Sequence, residues 1–214
     1  SNANTFRDRR IDSSYGCTFY PWVQTRDENT GILVWAPPSV AMLGVLGSSQ
    51  AKSDVWFAPA GFNRGGLSDG AAGIPVTAVS QRLTSEDRDN LYLQNINPIA
   101  SFPSEGIVVF GQKTLQATPS ALDRINVRRL MIFVKRGISR IASTTLFQPN
   151  VQATWSDFKA RADSFLVDVQ ARSAKLAPLN VIESVQVDSQ AEHVVAEVKR
   201  QLLNDPQFAV LGNT

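Results

Sequence analysis

Short apolar segments with the pattern of β-strands alternate with amphipathic segments of helical period along this 214-residue chain. Strand patterns occupy residues 17–23, 32–35, 107–110, 144–147 and, more weakly, 181–187, and helical patterns occupy residues 38–46, 84–95, 120–142, 154–174 and 190–203. Interleaving of this kind predicts an α+β fold close to α/β, with a mixed β-sheet flanked by several amphipathic helices. The length suits a single compact domain.

Proline and capping residues set the expected ends of these segments. Pro21 cannot donate to a sheet ladder, so we expect the strand at 17–23 to lie at an edge or to bulge there. Thr84, Ser120 and Thr154 each stand three residues before an aspartate, a capping-box pattern that predicts helix starts at these positions. We expect Pro98 to stop the helix that begins at Thr84.

The segment at 120–142 predicts a long helix with one apolar and one basic side. Its apolar arc consists of Val127, Leu130, Met131, Val134, Ile138 and Ile141, and its opposite side carries Arg128, Arg129, Lys135, Arg136 and Arg140, with Ile132 among them. Between Leu122 and Arg140 the chain has six Lys or Arg and one Asp, a local charge of +5 against +2 for the whole chain.

The basic side of this helix is open to two interpretations. A solvated face is the usual one for charge on an amphipathic helix. However, charges of one sign repel one another, and Ile132 would be exposed among them. A contact surface for an acidic partner explains both features.

The residues that normally carry enzymatic chemistry are few. Cys17 is the sole cysteine and His193 the sole histidine, so we expect no disulfide within the chain, no metal site, no cofactor and no catalytic site. The glycine-rich stretch at 61–66 lacks the Gly-Lys-Ser/Thr ending of a phosphate-binding loop. The small net charge and the short apolar runs give no indication of specific nucleic-acid binding or membrane insertion.

Five longer motifs, in a fixed order, resemble the C-terminal conserved region of contractile phage tail sheath proteins. They are WFAPAGFNRGGL at 56–67, INPI at 96–99, GIVVFGQKTL at 106–115, DRINVRRL at 123–130 and LFQPN at 146–150. The shorter YPW at 20–22 and WAPPS at 35–39 fit as well. The resemblance spans about residues 13–170.

The resemblance implies a structural protein and not an enzyme. Sheath subunits polymerise around an inner tail tube and contract to drive it through the host envelope. The implied partners are other sheath subunits and the tail tube protein, with baseplate and tail terminator proteins as further ones. The implied location is the tail of the virion, assembled in the host cytoplasm. The basic side of the long helix then becomes a candidate contact to the tube or to a neighbouring subunit.

The loop at residues 53–75 is long for a segment without a sustained period. Trp56 and Phe57 either fill the core from this loop or belong, with Phe62 and Arg64, to a subunit contact that switches between two lattices.

The two ends of the chain do not fit the family pattern. Residues 1–3 look like a remnant of a cloning vector, residues 4–175 form the expected sheath-type domain, and residues 176–214 form a C-terminal extension without a match. This ending is either divergent or altered, which leaves strand exchange through a C-terminal arm in doubt. We therefore interpret the chain as a sheath fragment.

Three alternatives remain open. The same motifs permit the sheath of a phage-derived injection system, such as a bacteriocin tail or a secretion system. More distant alternatives are an enzyme with an unrecognised site and a nucleic-acid-binding module.

Overall fold

The computed structural model describes residues 6, 8, 9, 11–68 and 73–174. The described strands are β1 (Thr18–Tyr20), β2 (Val23–Arg26), β3 (Leu33–Ala36), β4 (Val76–Val79), β5 (Ile96–Phe102) and β6 (Gly106–Val109). The described α-helices are α1 (Pro38–Lys52), α2 (Ser85–Leu93), α3 (Ile125–Thr144) and α4 (Gln152–Ala174). The predicted α+β class is confirmed. The segments expected at 181–187 and 190–203, the extension from 176 onward and His193 lie outside the described residues.

The strands form two three-stranded sheets. One has the order β1-β5-β6, with β1 parallel and β6 antiparallel to β5, and the other has the antiparallel order β3-β2-β4. The expected strand at 17–23 is therefore two strands in two sheets, divided at Pro21, whose peptide bond to Tyr20 is cis. The prediction of an interruption at Pro21 is confirmed, and β1 does lie at a sheet edge.

Tertiary contacts divide the described chain into two units, with the division between Arg129 and Leu130 in α3. The core of the first unit draws side chains from both sheets, from one face of α1 and from the long loop. It includes Phe19, Val23, Ala41, Met42, Val45, Leu67, Val76, Ile99, Ile107, Val109 and Ile125. Of the strand predicted at 107–110, Ile107, Val108 and Val109 lie in β6 and are buried, whereas Phe110 follows β6 and is exposed.

The helix α2 ends before Pro98, and the chain turns at Asn95. The helix stops at Leu93, Asn95 takes a left-handed φ of 60°, and the chain enters β5 at once. Pro98 is a residue of β5, a strand that the sequence analysis did not predict. Its ring nitrogen donates no hydrogen bond, but its carbonyl accepts one from the Phe110 amide at 2.9 Å.

The capping box at Thr84 is confirmed. The Thr84 hydroxyl accepts a hydrogen bond from the Asp87 amide at 3.2 Å, and the Asp87 carboxylate accepts from the Thr84 amide at 3.0 Å. The Thr84 hydroxyl also donates to the Asp87 carboxylate at 2.8 Å, and the two bonds that the carboxylate accepts from the Thr84 amide and hydroxyl lower the pKa of Asp87.

We expect Thr84→Ala to raise the pKa of Asp87 towards its usual value, which an NMR titration of the carboxyl would measure. The pKa of Asp87 is lower in the folded state than in the unfolded state. The contribution of this cap to the free energy of unfolding is therefore present above the unfolded-state pKa and is lost as pH falls through the folded-state pKa. An unchanged Asp87 pKa in the variant would contradict this assignment.

The other two capping predictions are wrong. Ser120 accepts from the Leu122 amide at 3.1 Å, but it caps only a short 3₁₀ turn, Ala121–Asp123. Arg124 is extended because it bridges Lys113, so α3 begins at Ile125. The helix α4 begins two residues before Thr154, whose hydroxyl donates back to the Pro149 carbonyl at 2.9 Å.

The strand predicted at 144–147 is also wrong, because Thr144 ends α3 and residues 145–147 form a turn. The hydroxyls of Ser143, Thr144 and Thr145 each donate to a carbonyl three residues earlier, which competes with the helical hydrogen bonds at the end of α3. Phe147 then takes a left-handed φ of 67°.

Candidate interaction surfaces

The glycine-rich loop is an additional edge of the first sheet. The Gly61 amide donates to the Val109 carbonyl at 2.9 Å, the Val109 amide donates to the Gly65 carbonyl at 2.8 Å, and the Leu67 amide donates to the Ile107 carbonyl at 2.9 Å. The loop is therefore fastened along β6, as far as Leu67, which is completely buried.

The four aromatic and basic candidates in this loop occupy different environments. Trp56 is buried, as expected if it fills the core. Phe57 is half-buried and lies under the Arg64 guanidinium, 4.9 Å from the ring centroid, while Arg64 Nε donates to the Ala58 carbonyl. These contacts make Phe57 and Arg64 part of the loop's own packing.

Phe62 belongs instead to an aromatic cluster on the surface. Its ring is 5.1 Å from that of Phe102 in an edge-to-face arrangement and 5.8 Å from that of Phe110. The Arg88 guanidinium lies over both Phe102 and Phe110, at 5.3 and 5.7 Å from their centroids. Phe62 and Phe110 remain exposed, so this cluster presents apolar area and a cation to solvent.

Two of the five basic candidates in α3 already have partners in the first unit. The Arg128 guanidinium lies 4.2 Å from the Tyr15 ring centroid and donates to the Ser14 hydroxyl. Arg129 donates to Gln50 Oε1 at 3.2 Å, and burial lowers its pKa. Both side chains therefore hold the N-terminal part of α3 and its neighbouring segments in place.

The other three basic candidates, Lys135, Arg136 and Arg140, lie in the second unit and are exposed. At 100° per residue they fall within about 140° of the helix circumference. Among the described residues, none of their side chains has an ion pair or hydrogen bond. Ile132 is half-buried. We call Lys135, Arg136 and Arg140 the basic triad.

The turn between α3 and α4 is a further apolar feature of the second unit. Leu146 and Val151 are exposed, and the Phe147 side chain is 98% exposed. An open cavity of about 100 Å³ lies beside this turn, and its lining includes Ala142, Pro149, Trp155 and Phe158. The Trp155 indole donates to Asn150 Oδ1 at 2.7 Å, which fixes one wall.

The strand β3 carries an exposed surface that the sequence analysis missed. Leu33, Val34 and Trp35 are 46%, 41% and 49% exposed, and Trp22, just before β2, is exposed as well. The strand predicted at 32–35 is confirmed as β3, and this strand lies at a sheet edge where both of its faces meet solvent.

The described residues contain neither a cluster of metal-ligating side chains nor a helix suited to crossing a membrane. Within them, no group of three or more His, Cys, Asp or Glu is placed to hold a metal ion. No helix in the same part of the chain has the length and apolar character needed to cross a membrane.

The sequence is similar to curated tail sheath proteins of several phages, although no protein-family model matches the chain. It is 37% identical to the tail sheath protein of Vibrio phage KVP40 over 160 residues, which cover 75% of this chain and 22% of that protein. It is 32% identical to the tail sheath protein of Enterobacteria phage T4 over 140 residues, covering 65% and 20%. The chain thus spans about one fifth of the length of these relatives.

The fold is similar to chains in solved contractile assemblies. One is in the sheath complex of an extracellular contractile injection system, PVC, in its contracted state, with a TM-score of 0.66, 27% identity and coverage of 79% of this chain and 44% of that one. Another is in the baseplate of the anti-feeding prophage, with a TM-score of 0.65, 28% identity and coverage of 75% and 40%. Over about three quarters of its length, this chain is therefore similar in sequence to phage tail sheath proteins and similar in fold to chains of contractile assemblies.

Proposed function

We propose that this chain is a structural part of a contractile phage tail sheath, which polymerises around an inner tube and drives it through the host envelope on contraction. The observation that supports this best is the 37% identity to a tail sheath protein over 160 residues. The structural similarity to a contracted sheath complex points to the same role. On this proposal the chain is assembled into the tail in the host cytoplasm, and it has a mechanical role in the tail of the virion.

The sheath of a phage-derived injection system is the second candidate. Solved structures that resemble this chain include assemblies of the anti-feeding prophage and of the extracellular contractile injection system PVC. The two candidates share one physical role and differ in what the particle carries, so the genes adjacent to this one would separate them. Capsid genes nearby would favour the phage.

The basic triad supports an electrostatic contact to the tail tube or to a neighbouring sheath subunit. Its three cations have no ion-pair partner among the described residues, and Arg136 and Arg140, four residues apart on one helix, repel each other. An acidic partner would remove this repulsion. Exposed ion pairs are individually weak and screened by salt, which suits a contact that must later be released.

We also propose that the chain contacts other sheath subunits and the baseplate. The chain resembles subunits in a helical sheath and in a baseplate, which supports both contacts. We place these contacts and the tube contact in a sheath-type domain at residues 4–175.

Charge reversal of the basic triad tests this proposal. We expect the sheath polypeptide with K135E, R136E and R140E to form at least tenfold fewer tubular sheaths around its tube protein in electron micrographs, because attraction becomes repulsion. We expect wild-type assembly to weaken as salt rises. Arg128 and Arg129 are left unchanged because their contacts support the fold.

The matched control reverses three exposed cations outside the triad, K52E, R82E and K159E. It changes the net charge equally, so tube formation close to wild type is expected. Equal assembly by both triple variants would contradict the role of the basic triad, and a wild type that never forms tubes would contradict the sheath function itself.

A further inference from the structure

The strand β3 is short and is followed by Pro37 and Pro38, but within residues 32–36 it lacks three other features by which proteins protect a sheet edge. Natural edges carry charged side chains, a proline or a bulge that discourage pairing with another strand. Residues 32–36, Ile-Leu-Val-Trp-Ala, contain none of these, and the pairing with β2 is regular along β3. In the described part of the chain, β3 pairs with β2 alone.

The register shows which main-chain groups of β3 are available. The Asp27 amide donates to the Ile32 carbonyl at 2.9 Å, which makes these two residues a hydrogen-bonded pair. Since such pairs alternate along an antiparallel ladder, Val34 bonds to Thr25, whereas Leu33 and Trp35 form non-bonded pairs with Arg26 and Gln24. The amides and carbonyls of Leu33 and Trp35 therefore point away from the sheet.

The two amides and two carbonyls of Leu33 and Trp35 can pair with the same four groups of a second copy of β3. If two copies of β3 meet antiparallel about a two-fold axis at Val34, Leu33 of each copy faces Trp35 of the other. Both facing pairs are then of the hydrogen-bonded type, so four main-chain hydrogen bonds form. Val34 faces Val34 of the second copy without any charge to oppose it.

The side chains favour the same arrangement. Leu33 and Trp35 lie on one face of β3, because strand residues alternate between faces. Pairing would place the exposed Trp35 indole beside Leu33 of the second copy, and aromatic–aliphatic pairs across strands stabilise a sheet. The β3-β2-β4 sheet of one copy would join the same sheet of the second copy, and the two would form a single six-stranded sheet.

We propose that this chain forms a two-fold dimer in which β3 pairs antiparallel with β3 of a second copy, centred on Val34. Such a contact uses the same surface on both copies and closes after two. It is therefore distinct from the repeating contacts of a sheath and does not depend on the proposed function.

A single cysteine tests both the contact and its register. In a Cys17→Ser background, we expect Val34→Cys to form a covalent dimer on mild oxidation, since the Cα atoms of a non-hydrogen-bonded pair are about 4.5 Å apart. Leu33→Cys is the matched control. It would lie about 7 to 8 Å from its counterpart diagonally across the strands, at or beyond the limit for a disulfide, so cross-linking at least tenfold slower is expected.

A proline substitution tests the hydrogen bonds. Leu33→Pro removes an outward amide and leaves the bonds to β2 intact, so we expect the dimer dissociation constant to rise about tenfold or more by analytical ultracentrifugation. Leu33→Ala keeps the amide and should weaken the dimer less. A wild-type chain that is monomeric up to high concentration, equal cross-linking at positions 33 and 34, or an unchanged dissociation constant in Leu33→Pro would each overturn the proposal.

Discussion

Asn97→Ala is expected to lower the free energy of unfolding by about 3 kcal/mol or more. The Asn97 side chain is completely buried and makes three hydrogen bonds to the main chain. Its Nδ2 donates to the carbonyls of Thr18 at 3.0 Å and Lys113 at 2.8 Å, and its Oδ1 accepts from the Lys113 amide at 2.6 Å. Alanine would leave one amide and two carbonyls without these bonds in a buried site, each at about 1 kcal/mol or more.

Urea unfolding, followed by circular dichroism, would measure this loss. Asn29→Ala is the matched control because Asn29 is exposed in the β2–β3 turn, and a change within about 0.5 kcal/mol is expected there. A loss below 1 kcal/mol for Asn97→Ala would show that Asn97 does not fasten β1 and the segment after β6 to β5.

Gly65→Ala is expected to destabilise the fold by about 2 to 4 kcal/mol. A Cβ on Gly65 would lie 2.7 Å from the Val109 carbonyl oxygen and 2.8 Å from that of Gly61. Both obstacles are main-chain atoms, so relief would require the loop to move away from β6 and break the bonds that hold it there.

The control substitution is expected to change the stability of the protein in the opposite direction. Gly47 is exposed in α1, and a Cβ there would meet no heavy atom within 4 Å. Gly47→Ala should therefore stabilise the protein by about 0.5 to 1 kcal/mol, because alanine restricts the unfolded chain and favours helix. If thermal unfolding shows equally small changes in stability for both substitutions, the loop does not approach β6 as closely as these distances indicate.

Patterns that depend on local sequence predicted much of this fold. The buried strand β6, the helix starting after Pro37 and the capped start of α2 are confirmed, because each depends on residues adjacent in the chain. Predictions failed where distant segments compete. Arg124 was placed in a helix, but its bridge to Lys113 extends it, and β5 was overlooked because Pro98 was interpreted as a stop signal.

The candidate site was only partly visible in the sequence. The charge pattern of α3 identified five cations but could not distinguish Arg128, which lies over Tyr15, from Lys135, which is free of described partners. That distinction depends on which segments pack beside each turn of the helix. The exposed edge of β3 was missed for the same reason, since a run of apolar residues does not reveal whether another strand covers it.

By itself the sequence determined the α+β class and, through its five ordered motifs, the resemblance to sheath proteins, because periodicity and motif spacing are properties of the chain. Only the tertiary structure decided that the glycine-rich loop lines β6, that Asn97 fastens three segments, which described cations are exposed and which described strand lies at the edge of its sheet. Each of these depends on contacts between residues far apart in sequence, and such contacts exist only once the chain has packed.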